Sequence, residues 1–295
     1  MDEELRDDYF ARLCERLGED FRLLRAAIAA ADPEAKVPSC PDWTANRLAH
    51  HVAQTYLHKV ECIRNGAFPE DWPPSGLDPD PLGVLDEGFA ALTVVFDEHR
   101  PSDAAATWYG PDQTVGFWIR RMCQETVVHR VDGEQVAGIE LAPIPAEIAL
   151  DGIDEFLDLF IGYLSVDWPE HFTDVLAHAD PRPILVSGGG RAWTLEARPA
   201  GVSVRSSLAV ASEEERARAG SGSADGGSAG SGSADGGSAG SGSAGAESAR
   251  GALVEGEPSE LLLWLWGRLG DRSVRREGDP VLLEQFLALR KKATQ

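Results

Sequence analysis

The first half of the chain repeats apolar residues with the period of an amphipathic helix. In its first segment they recur at spacings of three and four: Leu13, Leu17, Phe21, Leu24 and Ile28. The pattern breaks at Asp32-Pro33, because the residue before a proline avoids the helical conformation. After a proline-rich turn, Asp42 or Thr44 can cap a second helix that runs to about residue 65. Three more helices are predicted, at about 82–99, 114–137 and 145–164.

After Pro181 the apolar positions fall in short runs instead. Glycines separate the runs, which predict strands of an antiparallel sheet at 184–187, 192–197, 202–210 and 251–255. Helical spacing returns at 259–269 and 281–289. The fold class predicted is therefore a two-domain α plus α/β protein. A helix bundle covers 1–165, a linker 166–182, and a small α+β domain 183–295.

A low-complexity segment interrupts the second domain. The sequence GSGSADGGSA occurs at 220–229 and again at 230–239. Such residues cannot fill a hydrophobic core, so we interpret about 213–249 as a disordered, solvated Gly/Ser insert in a surface loop. A functional tether and repeat expansion in a surface loop both fit this segment, and we favour repeat expansion.

Charge narrows the classes of partner. The chain has 27 Lys and Arg against 49 Asp and Glu, a net charge of −22. Such a surface repels nucleic acid and anionic membranes. No apolar run is long enough to span a bilayer, and the acidic start does not resemble a signal peptide. The four cysteines show no paired spacing. We therefore expect a cytoplasmic protein that acts on a small molecule, with no indication of its oligomeric state.

Two predicted helices carry polar residues where a bundle requires apolar ones. In the fourth helix, Glu125 and His129 lie one turn apart on the core-facing arc. In the second helix, His51 lies at the edge of the apolar stripe, whereas His50 points away. Burying Glu125 requires compensation, which Arg121, a hydrogen bond from His129 or a metal ion can provide.

A histidine from one helix and a Glu-x-x-x-His pair from another supply three nitrogen and oxygen donors. This set suits a divalent zinc ion with an open fourth position. A buried polar network without metal is the alternative. Asp132 can accept the second ring N–H of His129 or be a solvated acid at the helix end, and we favour the latter. Arg268 is either a solvated base at a helix end or a residue that faces a cleft and binds an acid group.

Three stretches resemble the mycothiol-dependent maleylpyruvate isomerase family. They are VPSCPDWTANRLAHHVAQ at 37–54, RMCQETVVHRVDGEQVAG at 121–138 and SELLLWLWGR at 259–268. The resemblance implies a DinB-like four-helix bundle that holds a divalent metal, usually zinc, through His51, Glu125 and His129. It also implies a C-terminal sterol-carrier-like α+β domain and mycothiol as the cofactor.

The resemblance further implies an enzyme that activates mycothiol at zinc for addition to an electrophilic small-molecule substrate. The reaction is then an isomerisation or an S-transfer, since a metal lowers the pKa of a bound thiol. Arg268 is the candidate for binding a carboxylate of the thiol or the substrate. A function of a different class also fits: a non-catalytic metal-binding or small-ligand-binding regulatory protein.

Overall fold

The computed structural model describes residues 3–74, 79–208 and 251–294, so the predicted Gly/Ser insert lies outside the described residues. The chain divides into two compact units, Met1–Ile144 and Pro145–Gln295. Among the described residues, none of the helices combines the length and the apolar character that a membrane span requires.

The first unit is helical, as the sequence predicted. Within its described residues it is built on four long helices: α1 (Glu3–Ala30), α2 (Ala45–Asn65), α3 (Pro81–Asp97) and α4 (Val115–Ala137). Helix α1 packs mainly against α4, and α2 packs against α3 and also contacts α4. The core between them consists of the apolar stripes that the periodicity identified.

Local chemistry sets the ends of the two helices that matter most below. Of the two predicted caps, Thr44 caps α2, because its side chain accepts a hydrogen bond from the Arg47 amide at 3.3 Å. Thr114 caps α4 in the same way. Gly66 and Gly138 end these helices in the left-handed conformation, at φ of 62° and 68°.

A short hairpin joins α1 to α2, where the sequence predicted only a proline-rich turn. Strand β1 (Lys36–Val37) pairs antiparallel with β2 (Cys40–Thr44). The sequence did not predict these strands, because proline interrupts the usual strand pattern: Pro38 lies between β1 and β2, and Pro41 lies within β2. Residues of this hairpin reach the candidate site described below.

The second unit contains a five-stranded sheet in the order β5-β4-β3-β6-β7. Its strands are β3 (Ile184–Gly188), β4 (Arg191–Arg198), β5 (Gly201–Leu208), β6 (Ala252–Glu255) and β7 (Arg275–Gly278). The antiparallel prediction is right for β3, β4 and β5 but wrong for β6, which pairs parallel with β3. The chain reaches β6 by a long connection rather than a hairpin, so its direction is not restricted. The charged sequence of β7, which pairs antiparallel with β6, gave no strand signal.

The helix predicted at 145–164 belongs to the second unit rather than to the bundle, so the division falls earlier than the expected boundary at 165. It runs as α5 (Ala146–Asp154), a π-helical segment (Glu155–Tyr163) and α6 (Leu164–Asp167). Among its described residues, this unit has three further α-helices: α7 (Thr173–Leu176), α8 (Pro258–Leu265) and α9 (Pro280–Ala293). Helix α5 packs on α8, and the π-helical segment packs on β5 and α9, which fixes its place in this unit.

Candidate metal centre

Three side chains from two helices converge in the first unit. Helix α2 supplies His51, and α4 supplies Glu125 and His129. The Oε1 atom of Glu125 lies 3.3 Å from His51 Nε2 and 3.2 Å from His129 Nε2. One donor atom from each residue lies within 4.8 Å of the others. The structure therefore brings together the three residues that the sequence proposed, and His50 contributes no atom to this cluster.

Burial differs across the cluster. The side chain of His129 is 8% exposed and that of Glu125 is 14% exposed, whereas that of His51 is 36% exposed. The two α4 residues are separated by one helical turn, which places both side chains on the same face. The cluster is therefore embedded on the α4 side and accessible to solvent on the His51 side.

The outer nitrogen of His129 is held by a buried carboxylate. His129 Nδ1 lies 2.8 Å from Asp132 Oδ2, and Ser39 of the β1–β2 hairpin donates to Asp132 Oδ1. Asp132 is fully buried, so our interpretation of it as a solvated helix-end acid is wrong. The carboxylate fixes the tautomer of His129 so that Nε2 is free to act as a donor toward a cation. No sequence pattern links Ser39 to Asp132, because the two residues lie far apart along the chain.

Two further residues border the cluster. Arg121 Nη2 donates a hydrogen bond to Glu125 Oε2, which leaves Oε1 to the histidines. The ring of Trp43, on β2, lies 4.4 Å from the ring of His51 and 5.9 Å from that of His129, between centroids. Trp43 therefore covers the histidines with an aromatic surface. The sequence offered no sign of this role beyond its place in the proline-rich turn.

Electrostatics keep this cluster ionised in the absence of a metal. Burial raises the pKa of Glu125, but the charges of His129 and Arg121 and hydrogen bonds from both histidines outweigh it, so the pKa lies well below its ordinary value. Burial lowers the pKa of His129, but Glu125 and Asp132 together raise it to about 9. A cation that binds here takes the place of the His129 proton.

The donor set fits a divalent transition metal. Two imidazole nitrogens and one carboxylate oxygen are the ligands that zinc takes in catalytic sites, where a fourth position stays open. The carboxylate behind His129 is the outer partner that zinc-binding histidines usually have. The types of the donor atoms and the short distances between them therefore fit such an ion at His51, Glu125 and His129.

Arg268 belongs to the second unit, where it follows α8. It is partly buried, and its Nη1 donates to the Trp266 carbonyl oxygen at 2.6 Å. This contact neither requires nor prevents the binding of an acid group, so the role suggested for Arg268 stays a prediction.

The chain is similar in sequence and in fold to known proteins. Residues 14–133 match the family model described as the mycothiol maleylpyruvate isomerase N-terminal domain. Two similar solved structures are a mycothiol-dependent maleylpyruvate isomerase and a histidine-to-alanine mutant of such an enzyme. Each is 14% identical over 90% of this chain and 94% of the other, with TM-scores of 0.51 and 0.50. No curated protein matches the chain.

At this identity the two structures establish a shared fold, with a helical N-terminal region and a C-terminal sheet region. The family model adds sequence evidence, and the range that it matches contains His51, Glu125 and His129. The N-terminal unit is therefore similar in sequence to the mycothiol maleylpyruvate isomerase N-terminal domain, and the chain as a whole is similar in fold to a mycothiol-dependent maleylpyruvate isomerase.

Proposed function

We propose that this protein is a metal-dependent enzyme that uses a thiol, with zinc held by His51, Glu125 and His129 and mycothiol as the thiol. The observation that carries the proposal is the convergence of three donor side chains on one point that is accessible to solvent on one side. The family and the name of the similar enzyme support mycothiol as the thiol.

Zinc bound there would supply a Lewis acid that lowers the pKa of a thiol at its open position. The residues of the chain prepare the site for this chemistry. Asp132 and Ser39 hold the His129 ring, and Arg121 fixes one oxygen of Glu125. Trp43 covers one side of both histidines and limits the access of water there.

A thiolate can attack an electrophilic double bond. A carbon–sulfur bond forms, and the π electrons move to the adjacent electron-withdrawing group. If the new single bond rotates and the thiolate is then expelled, the substrate leaves as its cis–trans isomer and the thiol is regenerated. If the carbon is protonated instead, the product keeps the sulfur, and the reaction is an S-transfer. Both reactions need the same activated thiol. Arg268 is our candidate for binding an acid group of the thiol or the substrate.

Metal analysis tests the site directly. We expect elemental mass spectrometry of untagged protein to find about one zinc per chain, as in other catalytic zinc sites. His51→Ala and His129→Ala should lose the metal while the helical circular dichroism signal is retained. His50→Ala is a matched control on the neighbouring position and should retain it. A screen of electrophiles with mycothiol then identifies the reaction.

The outcomes separate the candidate functions. Full zinc content in His51→Ala or His129→Ala would reject the site. No zinc in the wild-type protein, even after zinc is added, would leave a buried polar network. A thermal-shift screen in which apolar ligands stabilise the protein, but zinc and thiols do not, would favour the regulatory ligand-binding protein.

A further inference from the structure

Lys59 occupies a core position of helix α2. The buried stripe of this helix includes Val52, Tyr56 and Ile63, and Lys59 follows Val52 by seven residues and precedes Ile63 by four. These spacings place its Cα in the middle of the stripe. The apolar periodicity that predicts the stripe gives no sign of the lysine within it. A lysine at such a position is rare unless its charge has a partner.

The partners that Lys59 has are not anions. Its Nζ lies 4.7 Å from the ring centroid of the fully buried Trp118 and 3.2 Å from Nδ1 of His58. Burial and the Lys59 charge lower the pKa of His58 to about 4, so His58 is a neutral acceptor. In the part of the chain that the structure describes, no carboxylate lies within ion-pair distance of Nζ. Lys59 is only partly buried, so a ligand can approach it.

Lys59 lies two helical turns from the candidate metal centre. It follows His51 by eight residues on α2, and its neighbour Trp118 precedes Glu125 by seven residues on α4. Two turns span about 11 Å along a helix axis. Burial lowers the pKa of Lys59, and Cys62, Glu125 and Arg121 also act on it, so the ammonium group lies within electrostatic range of Glu125.

A bound metal would unbalance the charges around this site. With neutral histidines, the two carboxylates of Glu125 and Asp132 balance the two cations Arg121 and Lys59 in number, and a divalent metal would add two positive charges. The local excess would therefore be positive, in a chain whose net charge is −22. A thiolate offsets one of the two charges, and a second anion is needed to offset the other.

We propose that Lys59 is a specificity-determining residue that binds a carboxylate of the electrophilic substrate beside the metal centre. The assignment of this anion to the substrate rests on the proposed function. Binding of a carboxylate at Lys59 requires neither the thiol nor turnover. It can therefore be measured without either of them.

Titration calorimetry with maleate as the probe and its uncharged diamide as the reference tests this proposal. The full chain is used without thiol, both zinc-loaded and metal-free. We expect Lys59→Met to weaken maleate binding by roughly 10- to 100-fold, since hydrogen bonds between charged groups are strong. Diamide binding should not change, and Lys59→Arg should retain most of the maleate affinity. Lys36→Met, at an exposed lysine of the same unit, should bind maleate as the wild type does.

Equal maleate affinity in Lys59→Met and the wild type would overturn the proposal, as would an absence of maleate binding by the wild type. An equal loss of maleate and diamide binding would overturn it too, because it would show that the lysine only supports the local structure. Zinc content is measured on each sample. A wild type without zinc would defeat the proposed function, whereas selective loss of maleate binding in metal-free Lys59→Met would still support the carboxylate site.

Discussion

Helix α4 carries two buried polar clusters that look alike in sequence but differ in their surroundings. The first, which we call the metal cluster, is the candidate centre of His51, Glu125 and His129, in which the two α4 residues lie four positions apart. The second, which we call the Arg130 cluster, consists of Arg130 with Glu134, also four residues apart, and Asp20 from α1. Each places a carboxylate beside a cationic or basic side chain inside the helical unit.

The two clusters differ in whether their charges are paired and in whether solvent can reach them. In the Arg130 cluster, Nε donates to Asp20 Oδ1 at 3.0 Å and Nη1 donates to Glu134 Oε2 at 2.7 Å. All three side chains are almost completely inaccessible. Arg16 also donates to Asp20, so two cations balance the two carboxylates. Arg130 Nη2 lacks a hydrogen-bond partner among the described residues. In the metal cluster, one carboxylate oxygen is shared by two histidines, and the exposed edge of His51 leaves a way in. Charges that are paired with each other and closed to solvent indicate a structural role. Metal-donor atoms that converge at a point open to solvent indicate a binding site.

The largest effect should come from breaking the Arg130 cluster. We expect Arg130→Met to lower the free energy of unfolding by about 3–5 kcal/mol, because it leaves the buried Glu134 without its cation and Asp20 with Arg16 alone. Urea unfolding measures the change. Zinc content per folded chain should stay the same, since Arg130 points away from the metal cluster toward α1. A loss below about 1 kcal/mol would show that the cluster is not structural.

A smaller effect is expected at the outer partner of the metal cluster. Asp132→Asn removes the negative charge behind His129 and should weaken zinc binding by about 10- to 100-fold. Competition with a chromogenic chelator measures the affinity. Ser39→Ala, which removes only the hydrogen bond to Asp132, should weaken it less. Unchanged zinc affinity in Asp132→Asn would contradict a positioning role for this carboxylate.

The pH dependence of stability should differ between the metal-free and zinc-bound forms. In the metal-free protein, Glu125 and Asp132 outweigh the effect of burial and raise the pKa of His129 to about 9, above its value of about 6.5 in an unfolded chain. The imidazolium therefore stabilises the fold fully below about pH 6.5, and this contribution is lost as the pH rises through 9. Zinc competes with that proton, so zinc binding should strengthen over the same range.

Thermal unfolding measured from pH 6 to pH 9.5 tests both the loss of stability of the metal-free protein and the strengthening of zinc binding. We expect the metal-free midpoint to fall by about a few degrees and the stabilisation by zinc to grow. His129→Ala should flatten the metal-free slope. A metal-free midpoint that rises with pH would show that His129 is neutral in the folded protein.

The smallest effect should come from an ion pair at the surface. Arg25 binds both carboxylate oxygens of Asp86, at 2.6 and 2.7 Å, but both side chains are more than two-fifths exposed. Solvent screens such a pair, so Arg25→Ala should change the free energy of unfolding by less than about 1 kcal/mol in urea. If Arg25→Ala lowered the free energy of unfolding as much as Arg130→Met does, burial would not explain the difference between this exposed ion pair and the Arg130 cluster.

The sequence predicted the parts of the site that lie on single helices. Helical phase distinguished His51 from His50, and the four-residue spacing paired Glu125 with His129. The environment of Asp132 was mispredicted, because the Ser39 hydroxyl and the core that bury it come from other parts of the chain. Periodicity reports which face of a helix is apolar, but not which residues of other elements meet it.

The same limit applies to the fold. The helix after residue 145 has an apolar face, yet that face does not reveal which core it joins, and the structure places it in the second unit. The parallel pairing of β6 with β3 follows from topology rather than from composition. Elements defined by local spacing were therefore predicted well, and those defined by distant partners were not.

The distribution of the candidate ligands has a consequence for biosynthesis. His51, Glu125 and His129, together with Ser39, Trp43 and Asp132, all lie in the unit that ends at Ile144. Domains fold as units, and the N-terminal one folds first during synthesis. The complete ligand set therefore leaves the ribosome before the five-stranded sheet has been translated. Metal capture can then accompany the folding of the nascent chain, and maturation of the second unit need not precede it.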